Sequence, residues 1–195
     1  MGHIAWLSVI FSFIYLYFAI KNQSICFLFA IVSSSLWAVE SYFKYHLKFD
    51  AALQVFYVVM AVVGLYRWKY GGKKQEQKPI MDWSLSRHNL IILGGILLTA
   101  LMIYGSQFIA EIARPKLDAF TTVFFVIGTL LLVEREIYSW LYLVVCNVVM
   151  VYVYLSTEAW LFAAMMLVYA VFGVVGYMNW KRLNAESLVQ EKNIF

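Results

Sequence analysis

Residues 54–69 read Q-V-F-Y-V-V-M-A-V-V-G-L-Y-R-W-K. The run is apolar for almost four helical turns, carries one amide at Gln54, and closes on Gly-x-x-x-Trp-Lys. The same ending returns 112 residues later, where Val174-Val175-Gly176 leads to Trp180-Lys181, and Tyr57 finds Tyr169 at that offset. A helix written twice at one spacing implies two related bundles, and its apolar length implies a membrane around them.

The rest of the chain agrees. Of its 195 residues 64% are hydrophobic and only 13% charged, with a mean hydropathy of +0.77. A water-borne domain of this length could not hide so much apolar surface. Charges are confined to short islands between runs of about 20 apolar residues, the length that crosses about 30 Å of hydrocarbon. The net charge of +4 then reports cytoplasmic loops under the positive-inside rule, and no nucleic-acid partner is expected.

Windows of that length predict seven spans, at 4–20, 25–43, 51–68, 89–108, 119–133, 137–155 and 160–180. The fold class expected is an all-α integral membrane protein. Ile4–Ile20 is preceded by no Lys or Arg and followed by Lys21-Asn22-Gln23, so the first span is expected to remain in the mature protein. Short links make the first three spans antiparallel neighbours, and the last three likewise. The polar linker 69–87 carries Lys73, Lys74 and Lys78, and the tail carries Lys181, Arg182 and Lys192. That bias predicts an outside N-terminus and a cytoplasmic C-terminus, although Lys44 and Lys48 argue weakly the other way.

Sliding the chain by 112 residues lays spans one to three on spans five to seven without a gap, matching Phe13 with Phe125, Ile25 with Ile137 and Ala51-Ala52 with Ala163-Ala164. The division expected is 1–70 for a first three-helix bundle and 71–117 for a basic linker with the fourth helix. A second three-helix bundle follows at 118–182 and a cytoplasmic tail at 183–195. One helix between the bundles restores their orientation, giving a 3+1+3 plan of two parallel bundles, a repeat type found in secondary transporters.

Polar exceptions inside spans are where specific chemistry can sit. Glu40 is the one clear carboxylate within a span; it reads either as a snorkelling group paired with Lys44 or as a counter-charge at the mouth of a cation pathway. Trp37 lies three residues earlier on the same helix face. Gln54 and Tyr57 share a face of the third span, Trp140 and Asn147 lie two turns apart on the sixth, and Tyr169 repeats Tyr57. Aromatic walls with a few amides suit a flat, polar, cationic ring, though interhelical hydrogen bonding serves Gln54 as well. Trp68 and Trp180 are expected to anchor helix ends at the interface.

Enzyme signatures are missing from this pattern. His3, His46 and His88 fall at span edges without a second ligand at metal spacing, and Cys26 and Cys146 read as small core residues. No metal, cofactor or catalytic set is expected. With Glu40 nearly alone, a passive facilitator fits better than a proton pump.

Several of these segments carry a resemblance. Asp118-Ala119-Phe120-Thr121-Thr122-Val123 resembles the opening motif of the PnuC family of vitamin transporters. Leu53-Gln54-Val55-Phe56-Tyr57 with Gly64-Leu65-Tyr66-Arg67-Trp68 is similar to another block of that family, as are Trp140…Asn147 and Gly176-Tyr177…Trp180. The resemblance implies a 3+1+3 fold like that of the SWEET sugar transporters, homotrimeric assembly in the plasma (inner) membrane, and facilitated diffusion of a vitamin. It implies nicotinamide riboside as substrate, drawn inward by intracellular phosphorylation. Leu143 stands where the family pattern has a second Trp and Ser139 where it has Asn; thiamine or riboflavin is therefore the alternative cargo. A membrane receptor that binds without transporting is the alternative from another class.

Overall fold

The computed structural model describes residues 3–43, 48–72, 77–107, 115–156, 158 and 160–192. Within them lie seven helices: α1 (His3–Ile20), α2 (Cys26–Phe43), α3 (Lys48–Tyr70), α4 (Leu85–Ser106), α5 (Pro115–Val133), α6 (Ser139–Leu155) and α7 (Trp160–Lys192). Lys44, Lys73 and Lys74, and His46, fall outside the described residues. Helices form where the sequence predicts them, with ends set by local chemistry. Proline, which lacks an N–H and fixes φ, opens α5 a turn ahead of the expected span. α7 runs on from Trp180 to Lys192, helped by an i,i+4 pair between Arg182 Nε and Glu186 Oε1 at 3.7 Å.

Four helices are long and apolar enough to cross a bilayer, through Ala51–Tyr70, Leu85–Ser106, Lys116–Val133 and Phe162–Gln190; α1, α2 and α6 add shorter apolar segments. The strongest sign of a lipid solvent is α4. Leu90, Leu93, Leu97 and Leu101 repeat at helical spacing, and each is more than half exposed.

The chain divides into two compact units. The first holds 1–80, 133–135 and 182–195; the second holds 81–132 and 136–181. In the first unit α2 packs on both α1 and α3. In the second, Gly95 of α4 lies under Phe124 and Ile127 of α5, Gly128 of α5 lies under Leu143 of α6, and Gly176 of α7 lies under Trp140 of α6. Small residues let helix backbones approach where hydrocarbon gives no hydrophobic drive.

The internal repeat is visible as local geometry, with a register different from the expected one. The α1–α2 turn closes by Gln23 N–H donating to Phe18 O at 3.0 Å, and the α5–α6 turn by Glu136 N–H donating to Leu131 O at 3.0 Å. Three more bonds repeat at the same spacing: Cys26 to Gln23, Phe27 to Ser24 and Leu28 to Ile25 match Ser139 to Glu136, Trp140 to Ile137 and Leu141 to Tyr138. Asn22 and Arg135 hold the left-handed position, at φ 58° and 63°. Every one of these pairs is 113 residues apart. The third helices keep 112: the Phe27 ring covers Gly64 and the Trp140 ring covers Gly176. The ungapped alignment is therefore corrected by one residue in the hairpins, because turn closure, not side-chain identity, sets their register.

Trp68 and Trp180 also depart from expectation. Each is 0% exposed. Trp68 meets Phe27 edge-on at 4.8 Å between centroids, and Trp180 meets Trp140 edge-on at 5.5 Å. These indoles are the cores of their bundles, not anchors at a surface, since a ring interleaved with another ring buries more apolar area than one lying at an interface.

Candidate functional site

Trp37 and Glu40 lie one turn apart near the end of α2, and Gln54 and Tyr57 lie near the start of α3. Glu40 is buried at 4% exposure, while Trp37, Gln54 and Tyr57 are half-buried. The Phe27–Gly64 contact fixes the register of α2 against α3. Counting from it along antiparallel helices brings Gln54 level with Trp37, and Tyr57 level with Ser34.

The second unit repeats the arrangement with different polarity. Gly173 lies under Val144 and Gly176 under Trp140, so Tyr169, one turn back on α7, comes level with Asn147 on α6. Asn147 is the 113-residue partner of Ser34. Its residue exposure is 7%. Met150 and Met166 stand where the first unit has Trp37 and Gln54. Trp140 is 1% exposed, enclosed by Gly176 and Trp180, and lies two turns before Asn147 on α6. Tyr169 is half-buried.

Sequence reasoning passed over the turn Glu134-Arg135-Glu136, a charged island that reads as solvated. Arg135 is instead 4% exposed and Glu136 0%. In the first unit the Arg135 guanidinium lies 4.8 Å over the Trp68 ring. Its Nε donates to Asn22 Oδ1 at 2.7 Å, another nitrogen donates to Asn22 O at 3.1 Å, and a third to Lys78 O. Burial pulls its pKa down to about 10. Glu134 binds Arg67 and Lys78. One planar fork therefore ties the α1–α2 turn, the linker and the end of α3 together, and its bonds offset the left-handed backbone at a non-glycine residue. Arg135→Lys keeps the charge and loses the fork, so it is expected to cost about 1 kcal/mol, read as a lower melting temperature of the purified protein.

Among the described residues no group of His, Cys, Asp and Glu is arranged to hold a metal ion. Cys26 and Cys146 are free and buried.

The family profile for the nicotinamide mononucleotide transporter matches residues 2–182. A solved structure, the crystal structure of the vitamin B3 transporter PnuC, shares the fold with a TM-score of 0.75 at 23% sequence identity, covering 94% of this chain and 82% of that one. No curated protein matches the sequence. A profile spanning nearly the whole chain, on seven apolar helices, makes this a multi-pass membrane protein, and the chain belongs to the nicotinamide mononucleotide transporter (PnuC) family.

Proposed function

We propose that the protein mediates facilitated uptake of a small heteroaromatic vitamin, with nicotinamide riboside as substrate and intracellular phosphorylation as the sink. The observation that carries this reading is Asn147: an amide residue only 7% exposed on an apolar helix, level with Tyr169, in a family of transporters. A polar group placed so in a membrane helix is costly unless something binds it. Trp37, Gln54, Tyr57, Trp140 and Tyr169 are proposed, with Asn147, as substrate-binding residues, and Glu40 to attract a cationic ring. The same reading takes the helices as two parallel three-helix bundles joined by α4, a 3+1+3 arrangement, assembled as a homotrimer in the plasma membrane with the N-terminus outside.

One observation favours a second cargo. Leu143, where the family pattern has a second Trp, rests on Gly128 of α5. An aliphatic wedge there leaves one stacking face fewer, which suits thiamine as alternative substrate.

A thermal-shift panel on the purified protein separates the cargoes. The true ligand at 100 times its Kd adds about 2.7 kcal/mol, a rise of roughly 5–10 °C for a chain of this size; nicotinamide riboside is expected to give it, and thiamine and riboflavin not. Flux into liposomes then decides between transporter and receptor: stabilisation without flux makes the protein a non-transporting binder.

A further inference from the structure

Glu136 is the charged residue among the largest fully buried side chains of the described chain, at 0% exposure. The amides of Trp83, Tyr138 and Ser139 face its carboxyl group, yet neither carboxyl oxygen closes a hydrogen bond. The backbone around it is already committed, Glu136 N–H to Leu131 O and Ile137 N–H to Met81 O. From α4, His88 (5% exposed) brings Nε2 to 3.4 Å from Glu136 Oε1, and its Nδ1 lies 3.2 Å from the Tyr142 hydroxyl. Nε2 likewise lacks a hydrogen-bond partner. One mobile hydrogen between Oε1 and Nε2 satisfies an orphan atom on each side.

The surroundings decide the charge state. Asp82, just before α4, faces both Glu136 and His88, and Arg87 faces His88. From α6 and its turn come the phenols Tyr142 and Tyr138; Tyr138 in turn meets Tyr177 and Lys181 of α7. No Lys or Arg in this set contacts the carboxyl group, and Asp82 repels its charged form. An ionised carboxylate here would have only those three amides to offset its burial beside Asp82, whereas the neutral acid donates to imidazole and His88 Nδ1–H donates to Tyr142.

We propose that Glu136 and His88 form a proton-binding site: the Glu136 carboxyl group carries one proton, hydrogen-bonded to His88 Nε2, and that proton holds the start of α6 on the start of α4. Burial pushes the Glu136 pKa up to about 7, with Asp82 adding to the rise and the three amides opposing it. A carboxyl group raised in the folded state stabilises the fold fully below its ordinary range. That contribution is lost as pH rises through about 7.

The test is thermal unfolding of the purified protein between about pH 5 and pH 9, beside Glu136→Gln. Measured against Glu136→Gln, the melting temperature of the parent is expected to fall by roughly 5 °C or more as pH rises through about 7. Glu136→Gln is expected to lack that share of the slope and to be the more stable of the two at the alkaline end. Parallel curves for the two proteins overturn the proposal. Infrared spectra of the parent alone give an independent reading: a buried carboxylic-acid carbonyl band is expected at acidic pH and gone at alkaline pH, and its absence throughout also overturns the site.

Discussion

Asn147→Ala is expected to abolish saturable uptake while leaving a folded protein that melts no lower than the parent. The reasoning starts from desolvation. The residue sits on an apolar helix at 7% exposure. The proposed partner of its amide is the substrate and not the fold, so without ligand the stability of the truncated protein stays level or rises by about 1 kcal/mol. A bound substrate is different. It loses two hydrogen bonds of about 1–1.5 kcal/mol each, so KM rises roughly 30- to 150-fold and uptake becomes linear over practical concentrations. The pair of readouts separates roles that either one alone would confuse. An asparagine that mattered only for packing would give the reverse, a lower melting temperature with uptake affinity intact. Wild-type KM in Asn147→Ala removes this residue from the site. Ser34, its counterpart 113 residues earlier, carries a hydroxyl in place of the amide, and Ser34→Ala is expected to leave KM within about threefold.

The helices were legible because hydrocarbon imposes one demand, a long apolar run that closes its own hydrogen bonds, and the sequence meets it between short polar islands. Gly64 with Trp68 and Gly176 with Trp180 were legible as a repeat because glycine and tryptophan are scarce against Val and Leu. What those residues do was not. A tryptophan at a helix end reads the same whether it faces headgroups or another ring, and only the fit of Trp68 against Phe27 and Trp180 against Trp140 decides it. The 113-residue register of the hairpins was hidden for a related reason. It is carried by backbone bonds and by left-handed residues as unlike as Asn22 and Arg135, which share a conformation and no side-chain chemistry. Arg135 and Glu136 were the largest surprise. Charge in a three-residue turn signals water, and a neighbouring carbonyl or imidazole that makes burial tolerable is distant in sequence: Lys78 for Arg135, His88 for Glu136. Of the candidate site, the residue types were readable and their levels along the helices were not, since those depend on which glycine lies under which ring.

Those glycines yield the other large effect. Gly176→Val is expected to cost about 3 kcal/mol or more, a large share of a stability of about 5–15 kcal/mol, and to lower the yield of folded protein sharply. A Cβ on Gly176 would stand 2.6–2.7 Å from three ring atoms of Trp140. That indole cannot retreat, being 1% exposed and held edge-on by Trp180, itself 0% exposed. Alanine at 176 gains about 1 kcal/mol of helix propensity and still clashes, so it falls between parent and valine. Gly64, under the Phe27 ring in the first unit, is expected to respond with the same sign. Gly94 is the control: a Cβ there meets nothing within 4 Å, and Gly94→Ala should raise the melting temperature by the propensity gain alone. The decisive arm is a cycle with Trp140→Ala. If the contact is the cause, the cavity left by the indole accepts the new side chain and the cost of Gly176→Ala disappears, a coupling of about 1–3 kcal/mol. Additive losses would instead mean that Gly176 is needed for its backbone and not for the ring above it, and the packing account of the repeat would fail at its best-defined contact.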